Sequence, residues 1–288
     1  MPYPPFLDIP QIAENPGFLI VPVPYDGTST YRKGADSGPL ALIEASSQVE
    51  LYDIETDAEP YADGVKVVSG TYDFSSPEAM AASVREFCGP IWDSPSFPIF
   101  LGGEHSVSAG IIESAAARHP DLTVVQFDAH ADLRSDYEGS RYNHACVMAR
   151  ARDAAEIFQV GIRSMDVSEK PRMDRNRVVF ADEITRDAAD GAGWIGRMIE
   201  AVRSPVYITV DLDVLDPSVM AATGTPEPGG MNWYGLTAGL AALFRTKDVI
   251  GADIVELCPN GDNAPVFTAA KLAYKIMAYR SAYGGKNE

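Results

Sequence analysis

Short apolar runs alternate along the chain with stretches whose apolar residues recur at helical spacing. Runs of this length without polar alternation are typical of strands buried on both faces of a parallel sheet. The predicted strands are residues 18–23, 65–69, 97–101, 122–127, 157–162, 178–181, 206–210 and 249–257.

Helical spacing is found in several stretches between these strands. The predicted helices are residues 38–52, 76–88, 105–119, 194–203, 234–246 and 263–279. Pro39 and Pro77 stand near the first turns of two of them, where a missing backbone N–H does no harm. The alternation predicts an α/β fold, a three-layer αβα sandwich with a mostly parallel sheet of about eight strands. Because no internal repeat or linker interrupts it, we expect a single domain over residues 1–288.

Composition excludes several classes of protein. The 288 residues carry a formal net charge of −18, which argues against a nucleic-acid partner and is compatible with a cationic substrate. No apolar run reaches the roughly 18 residues that a membrane span needs, and the first residues lack the pattern of a signal peptide. The three cysteines are scattered and indicate no disulfide framework. We therefore expect a cytoplasmic protein with no membrane partner.

Candidate chemistry begins with the segment "DAHAD" directly after the predicted strand 122–127. In extended backbone, alternate side chains point the same way, so Asp128, His130 and Asp132 are expected to converge. Ligands of parallel sheets bind beyond the carboxyl ends of the strands. Buried carboxylates need a partner, and a cation is the obvious one.

Two other strand ends carry side chains of the same kind. Asp211 and Asp213 follow the strand 206–210, and His105 follows the strand 97–101 after two glycines that permit close backbone approach. Asp216, before Pro217, is interpreted as a turn residue or a partner of nearby backbone.

The four histidines are unevenly placed. His119 precedes a proline at a predicted helix end and is interpreted as a surface cap. His105, His130 and His144 instead lie at or just after strand ends, beside acidic residues. Three of four histidines in such positions indicate ligands better than structural residues.

The ligand set points to a kind of metal. Two imidazoles and four carboxylates are too many and too rich in oxygen for one structural zinc ion. They suit two Mn²⁺ ions, with other divalent first-row metals as alternatives, about 3.5–4 Å apart. The predicted ligands are His105, Asp128, His130, Asp132, Asp211 and Asp213.

The chain resembles the ureohydrolases, the arginase and agmatinase family. The motifs that carry the resemblance are "GGEHS", "DAHADLR", "NHACVMAR", "TVDLDVLDPSVMAATGTPEPGG" and "DIVELCP", in the family's order over residues 102–259, after an opening segment over residues 24–46. The resemblance implies an arginase-like fold and an enzyme that cleaves a guanidino group to urea and an amine. It also implies a homotrimer or homohexamer.

The resemblance assigns roles to individual residues. Asp128 and Asp211 are expected to bridge the two metals, and Asp132 to transfer a proton from the attacking water to the leaving amine. His144 resembles a proton shuttle, Glu256 a guanidinium-binding glutamate, and Thr225 a pocket threonine. Taken alone, His144 would be a helix N-terminal residue, Glu256 the partner of a lysine or a helix cap, and Thr225 a turn residue. Glu104 replaces the family's usual aspartate, and we expect little effect because it precedes the ligand.

The loop "RSDYEGSRYNHA" before His144 is more similar to agmatinases than to arginases. We therefore expect agmatine to be cleaved to putrescine and urea. Asp136 or Glu138 is a candidate for the contact with its far ammonium; the alternative is a solvated loop charge, which we favour for at least one of them. The alternative substrates are guanidinobutyrate or another guanidino acid, then arginine, then free guanidine. Arg141 or Arg163 would serve an acidic substrate. A two-metal phosphoesterase or a non-catalytic relative is a more distant interpretation, since the neighbouring residues are mainly acidic or neutral.

Overall fold

The computed structural model describes residues 2–11, 13–190 and 193–284. Within these ranges, eight strands form one sheet whose neighbouring strands all run parallel. The strands are β1 Phe18–Val23, β2 Val65–Val67, β3 Phe97–Gly102, β4 Thr123–Phe127, β5 Glu156–Ile162, β6 Val178–Phe180, β7 Val206–Asp211 and β8 Val249–Val255. Each lies within two residues of its predicted bounds, and the predicted fold class is confirmed.

Helices cover both faces of the sheet. They are α1 Gly38–Ser46, α2 Pro77–Cys88, α3 Val107–Arg118, α4 Val147–Ala154, α5 Ala181–Asp190, α6 Gly193–Ala201, α7 Trp233–Thr246 and α8 Asn263–Tyr283. One apolar core joins the sheet to α1, α6, α7 and α8. A second core joins the opposite face to α2, α3 and α4. The described helices include none that is both long and apolar enough to cross a bilayer.

Two helix predictions need correction. The helix predicted over 38–52 ends at Ser46, where the Ser46 hydroxyl donates to Ile43 O at 2.6 Å and the Ser47 hydroxyl to Glu44 O at 2.8 Å. Such side-chain bonds compete with helical ones. Helices α4 and α5 are absent from the predicted set; in α5, Ile184 is the single large apolar residue and the other apolar positions are alanines.

The other local predictions hold. The Ser76 hydroxyl accepts from Ala79 N at 3.1 Å and caps α2. His119 is the C-terminal cap residue of α3. Asp216 is a turn residue whose carboxylate accepts from the backbone N–H groups of Ser218, Gly229 and Gly230 at 3.0, 2.9 and 3.2 Å.

The strand order brings distant parts of the chain together. It is β2-β1-β3-β8-β7-β4-β5-β6, so β3, β8, β7 and β4 lie side by side at the centre of the sheet. Parallel strands end at the same edge, and neighbours are about 4.8 Å apart. The segments that follow these four strands therefore meet within a few side-chain lengths.

Gly103 allows this meeting at the end of β3. A Cβ atom there would lie 1.9 Å from Tyr25 O, in the backbone that follows β1. The backbone of Gly103 also forms hydrogen bonds to the chain on both sides. Gly103 N donates to Val23 O of β1 at 3.0 Å, and Gly103 O accepts from Glu256 N, just after β8, at 2.8 Å. Any side chain at this position would displace the start of the next loop.

We expect Gly103→Ala to lower the free energy of unfolding by about 2 kcal/mol or more, because overpacking displaces backbone on two strands. Gly196→Ala is the matched control. Gly196 lies in α6 with nothing within 4 Å of its added Cβ, so the change should stabilise the protein by about 0.5–1 kcal/mol. Urea unfolding of both variants measures the difference, and equal stability of Gly103→Ala and wild type would contradict the account.

Candidate metal centre

The six predicted ligands follow three of the four central strands. They are His105 after β3, Asp128, His130 and Asp132 after β4, and Asp211 and Asp213 at the end of β7. The structure brings all six together at one edge of the sheet.

The first group surrounds the ring of His105. Its Nδ1 lies 3.0 Å from Asp128 Oδ2, 3.1 Å from Asp132 Oδ2 and 3.3 Å from Asp211 Oδ2. The four side chains are buried, and Nδ1 forms no hydrogen bond of acceptable geometry. A ring nitrogen and three carboxylate oxygens therefore converge on one buried point.

The second group surrounds His130. Its Nδ1 lies 2.9 Å from Asp213 Oδ2 and 3.7 Å from Asp128 Oδ1. Asp128 thus turns one oxygen toward each histidine, which is the arrangement of a bridging ligand. Among the described contacts, Asp211 does not approach both histidines in this way. Its Oδ2 faces His105, and its Oδ1 accepts from Asp213 N at 2.9 Å.

Hydrogen bonds behind the ligands fix their orientation. His105 Nε2 lies 2.9 Å from Thr209 Oγ1, which donates its own proton to Asp253 Oδ1 at 2.6 Å. Thr209 therefore accepts from Nε2–H, and in the neutral ring Nδ1 is the unprotonated nitrogen, the form that binds a metal. Gln126 Nε2 holds Asp128 in place through a bond of 2.6 Å to Oδ2.

Two site residues have left-handed backbone although neither is glycine. Asp132 has φ 53° and Glu256 has φ 66°. Such conformations cost about 1–3 kcal/mol and persist where the surroundings hold them. Asp132 O accepts from Met148 N and Ala149 N at 3.0 and 3.1 Å, which ties this segment to α4.

The carboxylates around His105 and His130 raise the pKa values of both imidazoles. Burial alone would lower the pKa of His105, but Asp128, Asp132 and Asp211 outweigh burial and raise this pKa well above its usual value. Burial also acts to lower the pKa of His130, and Asp213 with Asp128 raises it.

Crowding also raises the pKa values of two of the carboxylates, which disfavours their charged form. Burial and the charge of Asp128 raise the pKa of Asp132 to about 7. Burial with the charges of Asp213 and Asp128 raises the pKa of Asp211 well above its usual range. Without more positive charge, this cluster resists full ionisation.

These residues fit divalent cations. The His105 Nδ1 that forms no hydrogen bond, the mixed nitrogen and oxygen donors, and the shared Asp128 match first-row metal coordination. Among the described residues, no lysine or arginine forms an ion pair with the four carboxylates. Apart from the protons on the two imidazoles, bound divalent ions are the source of positive charge that this cluster fits.

A cavity of about 280 Å³ opens above this cluster. Its volume is near the lower limit of small-molecule pockets, about 300 Å³. Asp132, His144, Thr225 and Glu256 all line it, as the sequence predicted for the substrate side. Glu256 Oε1 accepts from His105 N at 2.8 Å.

The electrostatics of the pocket differ between these residues. Burial, with the nearby charge of Glu104, raises the pKa of Glu256 well above its usual range. Burial and the positive charges of His130 and His105 lower the pKa of His144 to about 4. His144 is therefore neutral at physiological pH.

The loop residues that were expected near the substrate tail lie elsewhere. Asp136 and Glu138 are exposed and do not line the cavity. Arg163 does not line it either, since its guanidinium donates to backbone carbonyls including Asp213 O at 2.5 Å and Glu227 O at 2.8 Å. Arg141 is exposed and pairs with Asp153 at 3.5 Å.

Several cavity residues were missed by sequence reasoning, and three of them matter for charge at the site. Asp166, Arg134 and Tyr137 line the cavity, with Arg134 stacked 4.3 Å above the Tyr137 ring and 4.0 Å from Asp166. Asp166 follows the end of β5, next to β4 in the sheet, so the strand-end rule applied to β5 would have found it. Arg134 ends the motif "DAHADLR" and was passed over as part of it.

A pair of histidine–carboxylate groups sharing one aspartate, below a pocket at the carboxyl edge of a parallel sheet, defines a class of metal-dependent hydrolases. The profile of the Arginase family matches residues 16–279. The chain belongs to the arginase family and is a metal-dependent amidinohydrolase.

Individual relatives cover nearly the whole chain. The N(1)-aminopropylagmatine ureohydrolase of Synechocystis sp. is 39% identical over 272 residues, 91% of this chain and 88% of that protein. The agmatinase of Pyrococcus horikoshii is 30% identical over 291 residues, 94% of this chain and 95% of that protein. The crystal structure of the agmatine ureohydrolase of Thermoplasma volcanium has a TM-score of 0.85 and 31% identity, covering 95% and 93% of the two chains.

We expect Mn²⁺ binding to release roughly two protons from the imidazoles near neutral pH, and further protons from Asp132 and Asp211, because all four groups bind metals only when deprotonated. The pKa values of His105 and His130 are raised, so both rings hold protons in the metal-free protein at neutral pH. The apparent affinity should therefore rise with pH between about 6 and 8. Calorimetry in buffers of different ionisation enthalpy counts the protons.

His119→Gln is the control for this titration. His119 lies at the far end of α3, so its replacement should leave the proton count unchanged. Binding that is independent of pH and releases no protons would exclude the two histidines as ligands.

Proposed function

We propose that the cluster holds two Mn²⁺ ions and that the enzyme hydrolyses a guanidino group to urea and an amine. The observation that carries this proposal is the convergence of six histidine and aspartate side chains below a cavity that Glu256 and His144 also line. In this assignment Asp128 and Asp211 would be ligands of both ions. His105 and Asp132 would complete the ligands of one ion, and His130 and Asp213 those of the other.

Guanidinium is a poor electrophile because its charge is delocalised, so the nucleophile must be strong. Two divalent cations would lower the pKa of a water molecule toward about 7 and so supply a nucleophile at neutral pH. The protein positions the substrate. Glu256 Oε1 is held by His105 N, and the carboxylate lies in a buried wall of the cavity where its attraction for a guanidinium is strong. Binding there would place the guanidinium carbon above the ligand cluster.

Proton transfer falls to two residues in this proposal. Asp132 accepts the proton that the attacking water loses and delivers it to the departing amine nitrogen. His144, neutral at physiological pH, also lines the cavity and relays protons to solvent.

The substrate that the cavity favours is a linear guanidino amine. Asp132, Asp166, Glu169, Asp211 and Glu256 all line it, and this acidic surface attracts a cation. We propose agmatine, cleaved to putrescine and urea, with N(1)-aminopropylagmatine as the second substrate of this class. The names of relatives at 39% and 30% identity support both.

Asp166 is the best-placed contact for the far amine. Both carboxylate oxygens of Glu169 already accept hydrogen bonds from the backbone, Oε1 from Leu133 N at 2.7 Å and Oε2 from Asp166 N at 2.6 Å. Asp166 Oδ1 accepts from Ser168, whereas the nearest described cation to its Oδ2 is Arg134 at 4.0 Å.

One observation favours a second candidate. Arg134 lines the cavity and would pair with the carboxylate of a guanidino acid such as guanidinobutyrate. This candidate predicts the opposite charge preference at the far end of the substrate.

The test is urea release with added Mn²⁺ from agmatine, N(1)-aminopropylagmatine, guanidinobutyrate, arginine and guanidine. We expect the two guanidino amines to have the highest kcat/KM. His130→Ala and Asp213→Ala should each abolish metal-dependent release, because each removes a ligand from the second group. Full activity in either variant would refute the ligand assignment. Phosphate release from esters without urea release would identify a phosphoesterase.

We expect Asp166→Asn to raise KM for guanidino amines about two- to fivefold, since a partly exposed ion pair with the far amine is lost. Asp136→Asn is the matched control, because Asp136 is an exposed aspartate of a nearby loop outside the cavity. Steady-state kinetics on agmatine measure both. If the two variants behave alike, Asp166 does not contact the tail.

A cytoplasmic location, a single domain and a homotrimer or homohexamer stay predictions. The three cysteines are free and buried, which suits a reducing compartment. Light scattering of the purified chain would determine the assembly.

A further inference from the structure

A threonine from the N-terminal part of the chain holds the ring of His144. Thr28 lies in the loop between β1 and α1, and His144 lies 116 residues later at the start of the segment that leads into α4. Thr28 Oγ1 lies 3.2 Å from His144 Nδ1 and accepts from His144 N at 3.0 Å. Both the backbone and the ring of His144 are therefore fixed by one hydroxyl group.

Glu104 determines which way that hydroxyl points. Thr28 Oγ1 donates to Glu104 Oε1 at 2.9 Å, and Thr28 N donates to the same oxygen at 3.2 Å. Ser106 supplies two further donors, Oγ to Oε1 at 2.8 Å and N to Oε2 at 3.0 Å. Glu104 is fully buried and surrounded by donors, so it accepts the threonine proton.

The donor count then assigns the ring nitrogens of His144. A hydroxyl has one proton, and Thr28 uses it in the hydrogen bond that it donates to Glu104. Toward His144 Nδ1 it can only accept, so the neutral ring must carry its proton on Nδ1. We infer that Thr28, oriented by Glu104, is a positioning residue that fixes His144 as the Nδ1–H tautomer and leaves Nε2 free to exchange protons in the cavity.

Packing supports a single ring orientation. Thr28 is 7% exposed and Glu104 is 0% exposed, so water does not compete for these bonds. The Tyr137 ring stands edge-on to His144 at 6.3 Å between ring centroids and 89° between planes. The imidazole is thus confined between a hydroxyl and an aromatic ring.

This inference revises the expectation that Glu104 has little effect. It places Glu104 two hydrogen bonds away from His144, although it binds no metal in the proposed assignment. The part that concerns catalysis rests on the proposed function of His144, whereas the tautomer is a property of the folded chain alone.

The first test measures the tautomer. The full chain, labelled with ¹⁵N in its four histidines, is studied by long-range ¹H–¹⁵N correlation near pH 7.5, without metal and with Zn²⁺ as a diamagnetic ion. His144→Ala identifies the His144 signals. We expect a protonated Nδ1 and a bare Nε2 in the wild type and in Thr28→Ser, and mixed tautomers in Thr28→Val. A wild-type His144 protonated on Nε2 overturns the inference.

The second test separates positioning from folding. Thr28→Val keeps the shape and removes the hydroxyl, while Thr28→Ser keeps the hydroxyl. We expect Thr28→Val to lower kcat for agmatine about tenfold with KM changed less than twofold, and Thr28→Ser to stay within twofold of wild type. In a His144→Ala background, Thr28→Val should lower kcat less than twofold, because its effect runs through the missing ring.

The outcomes distinguish this inference from the proposed function. If the wild type releases no urea from any guanidino compound, the proposed function fails and the tautomer measurement still decides the positioning. If Thr28→Val retains wild-type kcat, or lowers kcat equally with and without His144, Thr28 does not act through His144. Thermal unfolding of each variant identifies any loss of fold, in which case the wild-type tautomer alone decides.

Discussion

Four aspartates and two histidines lie within a few ångströms of one another below the protein surface, and no lysine or arginine of the described chain pairs with the aspartates. Like charges in a buried site repel one another unless cations lie between them. Burial, together with the charge of Asp128, raises the pKa of Asp132 to about 7. Metal binding and the architecture of the cavity above both depend on this concentration of negative charge.

The backbone is built to hold the charges in place. Asp132 and Glu256 have left-handed φ angles, and Gly103 approaches the Tyr25 backbone so closely that a Cβ would not fit. Two hydrogen-bonded layers lie behind the histidines, Thr209 with Asp253 behind His105 and Thr28 with Glu104 behind His144. In both layers a buried carboxylate accepts a hydrogen bond from a threonine hydroxyl, and the oxygen of that hydroxyl lies against an imidazole nitrogen.

In the function we propose, the charge that attracts metal ions also shapes substrate preference. Acidic side chains of the cavity extend from the ligand cluster to Asp166, and among its described lining residues Arg134 is the one lysine or arginine. A cationic guanidino amine meets complementary charge at both ends of such a cavity, whereas a guanidino acid depends on Arg134 alone. In the function we propose, the balance between Asp166 and Arg134 would distinguish the two substrate classes.

The sequence alone determined the strands, the sheet type and the six candidate ligands, because buried parallel strands read as continuous apolar runs and alternate residues at a strand end share a face. It left Asp136 and Glu138 open between a substrate contact and a solvated loop charge and passed over Asp166, because proximity along a loop says little about which side chains face a cavity. Only the tertiary structure decided the order of β3, β8, β7 and β4, and with it the meeting of Glu256 with His105 and of Thr28 with His144. These contacts join residues more than a hundred positions apart, and their geometry follows from strand order and backbone packing, which no local pattern encodes.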